Sequence, residues 1–276
     1  MINLQEPQDY EDSLNNILNK APLEAGVERV VITLLNDILS YLRKWPELSA
    51  EDTSKLKRKD VNDKYYGFTE MLTLSTPDGM ILGDSQAQSG KGHIHPYVLI
   101  EVKDLATYQN NDEFIGSEAD TVIQELKKKL KNESDIKDSI KEILSVAFNL
   151  PEGGSKVLKK NKWEVEVLSK KDTDGAYPIE IIDPSKKITD PSRTVATLHQ
   201  LDTYILDCYL DENIKGVIWT NGFCWKIWKK DDSGDIDSGL ANPPITLDPS
   251  RSGNVQIDPI KFRGLIDKLI SFFSTL

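Results

Sequence analysis

The chain has 276 residues and 38% of them are hydrophobic, which is enough for one large domain with a sizeable core. Its formal net charge is −11, and this argues against a protein that coats nucleic acid nonspecifically, because such binding depends on Lys and Arg neutralising phosphates. No apolar segment has the length of a membrane span and Met1–Pro7 is not a signal peptide, so we expect a cytoplasmic protein with no membrane contact.

The N-terminal region is predicted to be helical over Asp12–Trp45, with a break at Asn19–Leu23. Its second half has the apolar spacing of a helix that packs on a sheet. Glu24 and Glu28 lie one turn apart and therefore share a face of this helix. Each of these two residues is either an acid of a functional site or an ordinary solvated acid on an amphipathic helix.

Three strands are expected next. Glu70–Leu74 and Met80–Leu82 are short apolar runs, and Tyr97–Lys103 is the third. A polar loop over Gly83–Pro96 separates the last two strands. The chain is thus predicted to begin with helices followed by three strands.

The third strand places an acid beside an amine. Because side chains alternate along a strand, Glu101 and Lys103 project to one side while Val102 points into the core. Asp78 opens the preceding strand, in a Pro-Asp-Gly sequence. Two carboxylates hold Mg²⁺ together with water and phosphate oxygens, and an adjacent lysine orients or deprotonates water or stabilises a phosphorane-like transition state. Asp84 is the alternative first ligand, since Pro-Asp-Gly is also a good turn sequence.

The region from 104 to 190 is predicted to be an insertion with structure of its own. Two helix-like stretches cover Glu118–Leu130 and Asp135–Phe148. Trp163–Leu168 and Tyr177–Ile182 alternate apolar and polar residues, as half-buried strands do. We expect a helical hairpin followed by a β-hairpin.

A helix and a second hairpin follow the insertion. Thr197–Tyr204 is predicted to be helical, which places Gln200 and Tyr204 on one face, one turn apart. Lys215–Trp228 is predicted to form two strands joined at Asn221-Gly222, which is a strong hairpin signal.

Taken in this order, the segments resemble the PD-(D/E)XK nuclease superfamily, and most of all the N-terminal nuclease domain of type I restriction-enzyme R subunits. Those domains carry a PD start, an apolar strand ending in ExK, a QxxxY helix and a strand of the form GV.WTNG..W. The matching positions are Asp78, Glu101, Lys103, Gln200, Tyr204, Thr220, Asn221, Gly222 and Trp225. The resemblance implies an α/β fold with a restriction-endonuclease-like core, in which helices flank a central mixed β-sheet, within a single domain over 1–276.

The resemblance also implies a role for each matching residue. Asp78 and Glu101 would bind Mg²⁺, with Mn²⁺ as a substitute. Lys103 would act on water or on the phosphate, Gln200 would lie near the phosphate, and Tyr204 would contact the substrate.

The resemblance extends to an N-terminal glutamate, and the chain departs from the family in the spacing of two motifs. The family's N-terminal helix bears a glutamate, and Glu24 takes that position most naturally, with Glu28 as the second choice. In the family the QxxxY helix follows the ExK strand closely, whereas here about a hundred residues separate Lys103 from Gln200.

The expected function is metal-dependent hydrolysis of DNA phosphodiester bonds, in a restriction, defence or mobile-element system. The alternative is a catalytically inactive nuclease-like module that binds nucleic acid or protein, and a third possibility is an enzyme acting on RNA. An amphipathic helix over Ile260–Phe273 is predicted to cover the sheet or to pair with another copy. DNA, a second copy of the chain and restriction or defence subunits are therefore the expected partners.

Overall fold

The computed structural model describes residues 4–20, 24–53, 76–85, 93–104, 118–131, 134–151, 153–160, 163–169, 177–182, 194–237, 244–247 and 254–276. These residues form two compact units. The first unit contains the described residues up to 104 and from 211 onward, and the second contains those from 118 to 210.

The described residues form six helices and eleven strands. They are α1 (Pro7–Lys20), α2 (Glu24–Tyr41), β1 (Leu48–Asp52), β2 (Gly79–Ser85), β3 (His93–Val102), α3 (Ala119–Lys129), α4 (Ile136–Asn149), β4 (Gly154–Lys160), β5 (Trp163–Ser169), β6 (Tyr177–Ile182), β7 (Thr194–Leu198), α5 (Gln200–Leu210), β8 (Gly216–Thr220), β9 (Cys224–Lys230), β10 (Ile236–Asp237), β11 (Ile245–Thr246) and α6 (Pro259–Ser274). None of the helices within the described ranges is long and apolar enough to cross a membrane.

The first unit is built on a mixed sheet with the strand order β1-β2-β3-β8-β9-β10, in which β11 also pairs with β9. Strand β3 is antiparallel to β2 and parallel to β8. Parallel neighbours need a crossover connection, and here the residues between β3 and β8 include the whole second unit. The predicted α/β class with a central mixed sheet is confirmed, while the restriction-endonuclease-like core stays a prediction.

Helices α1, α2 and α6 contribute to one hydrophobic core with this sheet. Alternate residues of β3 point into that core: Val98, Ile100 and Val102 are all fully buried there. Helix α6 begins after an Asp258 N-cap, whose carboxylate accepts hydrogen bonds from the amides of Ile260 and Lys261. The closing helix expected from the sequence is thus present, and its apolar stripe packs into the core.

The second unit contains a four-stranded antiparallel sheet, β4-β5-β6-β7, and the helices α3, α4 and α5. Helices α3 and α4 match the two predicted helices, and β5 and β6 pair as the predicted hairpin. The carboxylate of Asp202 accepts hydrogen bonds from the amides of Ala119 at 3.1 Å and His199 at 2.8 Å. One buried acid therefore holds the starts of both α3 and α5.

Some predicted boundaries were wrong. Helix α2 ends at Tyr41 rather than at Trp45, because Arg43 has φ of +58°, a left-handed conformation that ends a helix. Strand β1 was not predicted. The predicted strand Glu70–Leu74 lies outside the described residues.

Four further segments lie in strands where none was expected. Gly83–Ser85 and His93–Pro96 extend β2 and β3 into the predicted loop. Strand β4 adds an edge to the hairpin of the second unit. Thr197 and Leu198 end strand β7 rather than beginning a helix, and α5 starts at Gln200.

Candidate active site

Glu101 is a buried carboxylate at the penultimate position of β3, and its side chain is 2% exposed. Its Oε1 atom accepts a hydrogen bond from the ammonium of Lys103. Its Oε2 atom is buried, and no hydrogen-bond donor of the described residues reaches it. A buried acceptor in this state has lost its water without a replacement, which is costly. A proton or a cation at Oε2 would remove that cost.

Asp78 precedes β2 directly and lies beside Glu101. The next residue, Gly79, pairs with Ile100 of β3. The Asp78 Oδ2 atom accepts a hydrogen bond of 2.7 Å from the backbone amide of Val102. A side chain thus continues the hydrogen-bond pattern between β2 and β3 past its last residue pair, and this fixes the Asp78 carboxylate next to Glu101.

The two carboxyl groups share one another's electrostatic environment. Burial, then the charge of Asp78, raises the pKa of Glu101 to about 8, although the Lys103 ammonium opposes this. Burial also raises the pKa of Asp78, while its hydrogen bonds to Val102 and Glu101 and the Lys103 charge lower it. A protonated Glu101 donates to the Asp78 carboxylate, so the pair is able to share a single proton near neutral pH.

Lys103 lies just beyond the end of β3, where its backbone amide donates a hydrogen bond of 2.9 Å to the carbonyl of Thr220. Its side chain is 35% exposed. Burial lowers the pKa of Lys103, but the carboxylates of Glu101, Asp78 and Glu24 outweigh burial and hold that pKa above its usual value. Lys103 is therefore a permanent cation at neutral pH.

Glu24, the first residue of α2, belongs to the same group of charges. Burial raises its pKa, the Lys103 ammonium lowers it, and the carboxylates of Asp78 and Asp104 raise it. Glu28, one turn later, is buried in α2. The structure thus gathers three carboxylates and one ammonium at the end of β3: Glu24, Asp78, Glu101 and Lys103.

The Thr220-Asn221-Gly222 turn connects β8 to β9 and supports the position of Lys103. The amide of Gly222 donates to Thr220 Oγ1 at 2.9 Å, and Asn221 Oδ1 accepts from two amides of the turn at 3.2 and 2.8 Å. Gly222 has φ of +89°, a conformation that favours glycine. Its carbonyl accepts from the Tyr10 hydroxyl at 2.8 Å. This turn is therefore a buried scaffold whose Thr220 carbonyl holds the Lys103 backbone.

Gln200 and Tyr204 lie in the second unit, on α5. Gln200 Nε2 donates a hydrogen bond of 2.6 Å to the Tyr204 hydroxyl, so the two side chains meet across one helical turn. The Tyr204 side chain is fully buried. The structure shows Tyr204 as the partner of Gln200, and its contact with a substrate stays a prediction.

The alternative first ligand, Asp84, lies at the other end of β2. Its backbone pairs with Ile94, which precedes Glu101 on the same strand by about 23 Å of extended chain. The register therefore favours Asp78 as the partner of Glu101.

Sequence reasoning missed three residues around this cluster. Thr53 is fully buried directly after β1, and its hydroxyl and amide bind the backbone that carries Asp78. The charges of Asp52 and Asp104 raise the pKa values of Asp78 and Glu24, respectively. Asp104 follows Lys103 in the sequence and was open to inspection, whereas nothing in the composition of β1 pointed to Asp52 or Thr53.

The described residues contain no group of three or more His, Cys, Asp or Glu side chains that could hold a metal ion. The pair of Asp78 and Glu101 fits Mg²⁺ in another way, since this ion is often bound through one or two carboxylates with water and phosphate oxygens as the remaining ligands. The buried Glu101 Oε2 supplies the acceptor for it. Comparison of the chain with family models, with curated proteins and with solved structures found no match in any of the three.

Proposed function

We propose that the protein is a Mg²⁺-dependent nuclease that hydrolyses DNA phosphodiester bonds, with Mn²⁺ as a substitute ion. The observation that carries the proposal is the meeting of Asp78, Glu101 and Lys103 at the end of β3, with one buried Glu101 oxygen that no donor of the described residues reaches. Most buried side-chain oxygens in folded proteins have a hydrogen-bond partner, and one without a partner calls for an explanation such as a bound ion. A binding module has no need of carboxylates packed against each other.

Asp78 and Glu101 would hold the ion. When bound, Mg²⁺ supplies a Lewis acid for the phosphate and lowers the pKa of water. The Val102 amide keeps Asp78 in place and, because it stabilises the charged form, keeps an acceptor ready at this position. Glu101 has to give up its proton before it serves as a ligand, so the proposed activity rises with pH as Glu101 ionises.

Lys103 has a role suited to its raised pKa. An amine that stays protonated at neutral pH does not take a proton from water. Its ammonium is instead suited to stabilising the negative charge that develops on the phosphate as water attacks phosphorus and the ester P–O bond breaks. Of the two roles that the sequence left open for Lys103, we favour charge stabilisation.

Glu24 is proposed as the auxiliary acid. It is partly exposed at the start of α2, and its raised pKa brings its titration closer to neutral pH. Gln200 donates to Tyr204 within the second unit, and its place near a phosphate stays a prediction from the resemblance.

The acidic balance of the chain bears on how DNA reaches the site. A net charge of −11 predicts weak, salt-sensitive binding of DNA by the chain alone. We therefore propose that a second copy or a partner subunit of a restriction, defence or mobile-element system delivers the DNA.

The test is cleavage of supercoiled plasmid and of single-stranded DNA with Mg²⁺, with Mn²⁺ and with EDTA. Lys103→Ala and Glu101→Gln should each abolish cleavage. Lys215→Ala is the matched control, because the Lys215 ammonium lies in the same unit and donates to the Glu212 carbonyl at 2.6 Å rather than to a carboxylate of the site. Cleavage that survives both site substitutions, or that proceeds at full rate in EDTA, contradicts the proposal.

One observation favours the alternative of an inactive nuclease-like binding module. The Lys103 ammonium already contacts Glu101 in this structure, as expected of a polar pair kept for stability alone. The two functions differ in their response to metal. Mg²⁺ should raise the melting temperature of the nuclease by mass action and should raise that of Glu101→Gln far less. Equal stabilisation of the two proteins supports the binding module.

A further inference from the structure

Thr53 occupies a position that the proposed catalytic roles do not explain. It directly follows β1, and its side chain is fully buried. Its hydroxyl donates a hydrogen bond of 2.6 Å to the Pro77 carbonyl, and its amide donates one of 2.8 Å to the Asp78 carbonyl. Both carbonyls of the Pro77-Asp78 segment are thus bound by one residue from another strand.

Asp78 is consequently held from two directions. Thr53 fixes its backbone, and the Val102 amide binds its carboxylate at 2.7 Å. If the backbone of Asp78 shifted, the carboxylate could no longer stay both on the Val102 amide and beside Glu101. The hydroxyl of Thr53 is therefore linked to the carboxylate through one hydrogen bond to the Pro77 carbonyl and the covalent chain from Pro77 to the Asp78 side chain.

The strand that carries Thr53 is itself tied to the fold. The side-chain amide of Asn36, on α2, donates to the Ala50 carbonyl at 2.8 Å and accepts from the Ala50 amide at 2.8 Å. These two bonds replace a neighbouring strand at this position of β1. Helix α2 therefore does two things. It begins with Glu24, one acid of the site, and through Asn36 it anchors β1, which is followed by the Thr53 that binds the backbone of Asp78.

We propose that Thr53 is a positioning residue for the Asp78 carboxylate, an inference that rests on the proposed nuclease function. Loss of a group that orients a metal ligand typically weakens metal binding about 10-fold to 100-fold. A threonine hydroxyl bound to a backbone carbonyl serves this purpose because it is neutral, short and restricted in rotation.

The experiment compares Thr53→Val, which keeps the shape and removes the hydroxyl, with Thr53→Ser, which keeps the hydroxyl. Thr275→Val is the matched control, because the Thr275 hydroxyl also donates at 2.6 Å to a backbone carbonyl, that of Phe272, at the end of α6. Two quantities are measured for each protein. One is the hydrogen exchange of the Val102 amide in EDTA, relative to the Ile218 amide. The other is the apparent Mg²⁺ dissociation constant from melting temperature against Mg²⁺ concentration.

For Thr53→Val we expect Val102 exchange to accelerate roughly fivefold more than Ile218 exchange, because the carboxylate acceptor is displaced. The apparent Mg²⁺ dissociation constant should rise about 10-fold to 100-fold. Thr53→Ser should restore both values, and Thr275→Val should change neither beyond its general effect on stability.

The proposal is overturned if Thr53→Val lowers the melting temperature in EDTA but leaves the relative Val102 exchange and the Mg²⁺ constant unchanged. If Thr53→Val does not fold, Thr53→Ser provides the test. Wild-type Val102 exchange and a wild-type Mg²⁺ dissociation constant in Thr53→Ser support the role of the hydroxyl. Changes in both quantities as large as those expected for Thr53→Val overturn the proposal. Failure of the proposed nuclease function is seen separately, as a wild-type protein whose melting temperature does not respond to Mg²⁺. The exchange of Val102 still reports then whether Thr53 holds Asp78.

Discussion

Replacing Glu101 by Gln should change how the stability of the metal-free protein depends on pH. Glu101 has an ordinary pKa of 4.5 when the chain is unfolded and a pKa of about 8 in the folded protein. Between these values the folded state binds more protons than the unfolded state, so the free energy of unfolding falls as pH rises. This is the opposite of the usual behaviour of a salt-bridged carboxylate, whose folded pKa is depressed.

The size of the effect follows from the two pKa values. One pKa unit corresponds to about 1.4 kcal/mol, and the Glu101 side chain is only 2% exposed, so solvent screens little of the interaction. The wild-type protein should therefore lose about 3 to 5 kcal/mol of stability through Glu101 as the pH rises from 5 to 9. Lys103 contributes nothing in this window, because its raised pKa matters only above its usual value of 10.5.

Gln at position 101 imitates the protonated acid, since its carbonyl accepts from Lys103 and its amide donates to Asp78. The variant should lose much less stability over the same range and should be more stable than wild type at pH 9. The free energy of unfolding is measured by denaturant titration in EDTA at pH 5, 7 and 9. The fluorescence of the buried Trp225 and Trp228 monitors the unfolding. Glu212→Gln, at an exposed position of the same unit, is the control.

Asp78 and Glu24 also have raised pKa values, and they add to the loss of stability in both proteins. Because Asp78 and Glu101 influence each other's pKa, the difference between the two pH profiles reports Glu101 together with its effect on Asp78. Parallel profiles for wild type and Glu101→Gln, or a wild-type protein that becomes more stable toward pH 9, would refute the reasoning.

Three other substitutions have definite expected outcomes. Asp78→Asn keeps an acceptor for the Val102 amide, so unfolding in EDTA should change by less than about 1 kcal/mol while the rise in melting temperature with Mg²⁺ disappears. Tyr204→Phe removes the buried partner of Gln200 and should cost about 1 kcal/mol in denaturant unfolding. Asn221→Ala leaves the amides of Phe223 and Cys224 without their acceptor and should cost roughly 2 to 4 kcal/mol in denaturant unfolding.

The parts of the site that sequence reasoning placed are those with strong local signals. The apolar run before Glu101 fixes β3, and alternation along it puts Glu101 and Lys103 on one side, where they are in contact. Asn221-Gly222 is a turn sequence for a hairpin, and β8 and β9 pair antiparallel on either side of it.

The parts that it missed depend on tertiary contacts. Strand β1 contains Glu51 and Asp52, and both residue types are depleted in strands. Its backbone is held by the side chain of Asn36 rather than by a strong intrinsic preference for the strand conformation. Strand β4 is rich in lysine, and it exists as a partner of β5. Thr194–Leu198 pairs with β6, a neighbour that no local pattern reveals. Thr53 is important only because β1 brings it to Asp78.

Strand β3 packs apolar residues into the core and also carries an acid that is costly to bury. Val98, Ile100 and Val102 face a closely packed core, which holds the strand rigid and defines the direction of every alternate residue. The same rigidity carries Glu101 into a buried position, where its charged form is costly. A carboxylate that is expensive to ionise in the metal-free protein gains most from a cation, because binding removes the cost that burial imposed. The core of the first unit thus holds the strand that carries the candidate site, and a cation bound at that site should stabilise the folded unit.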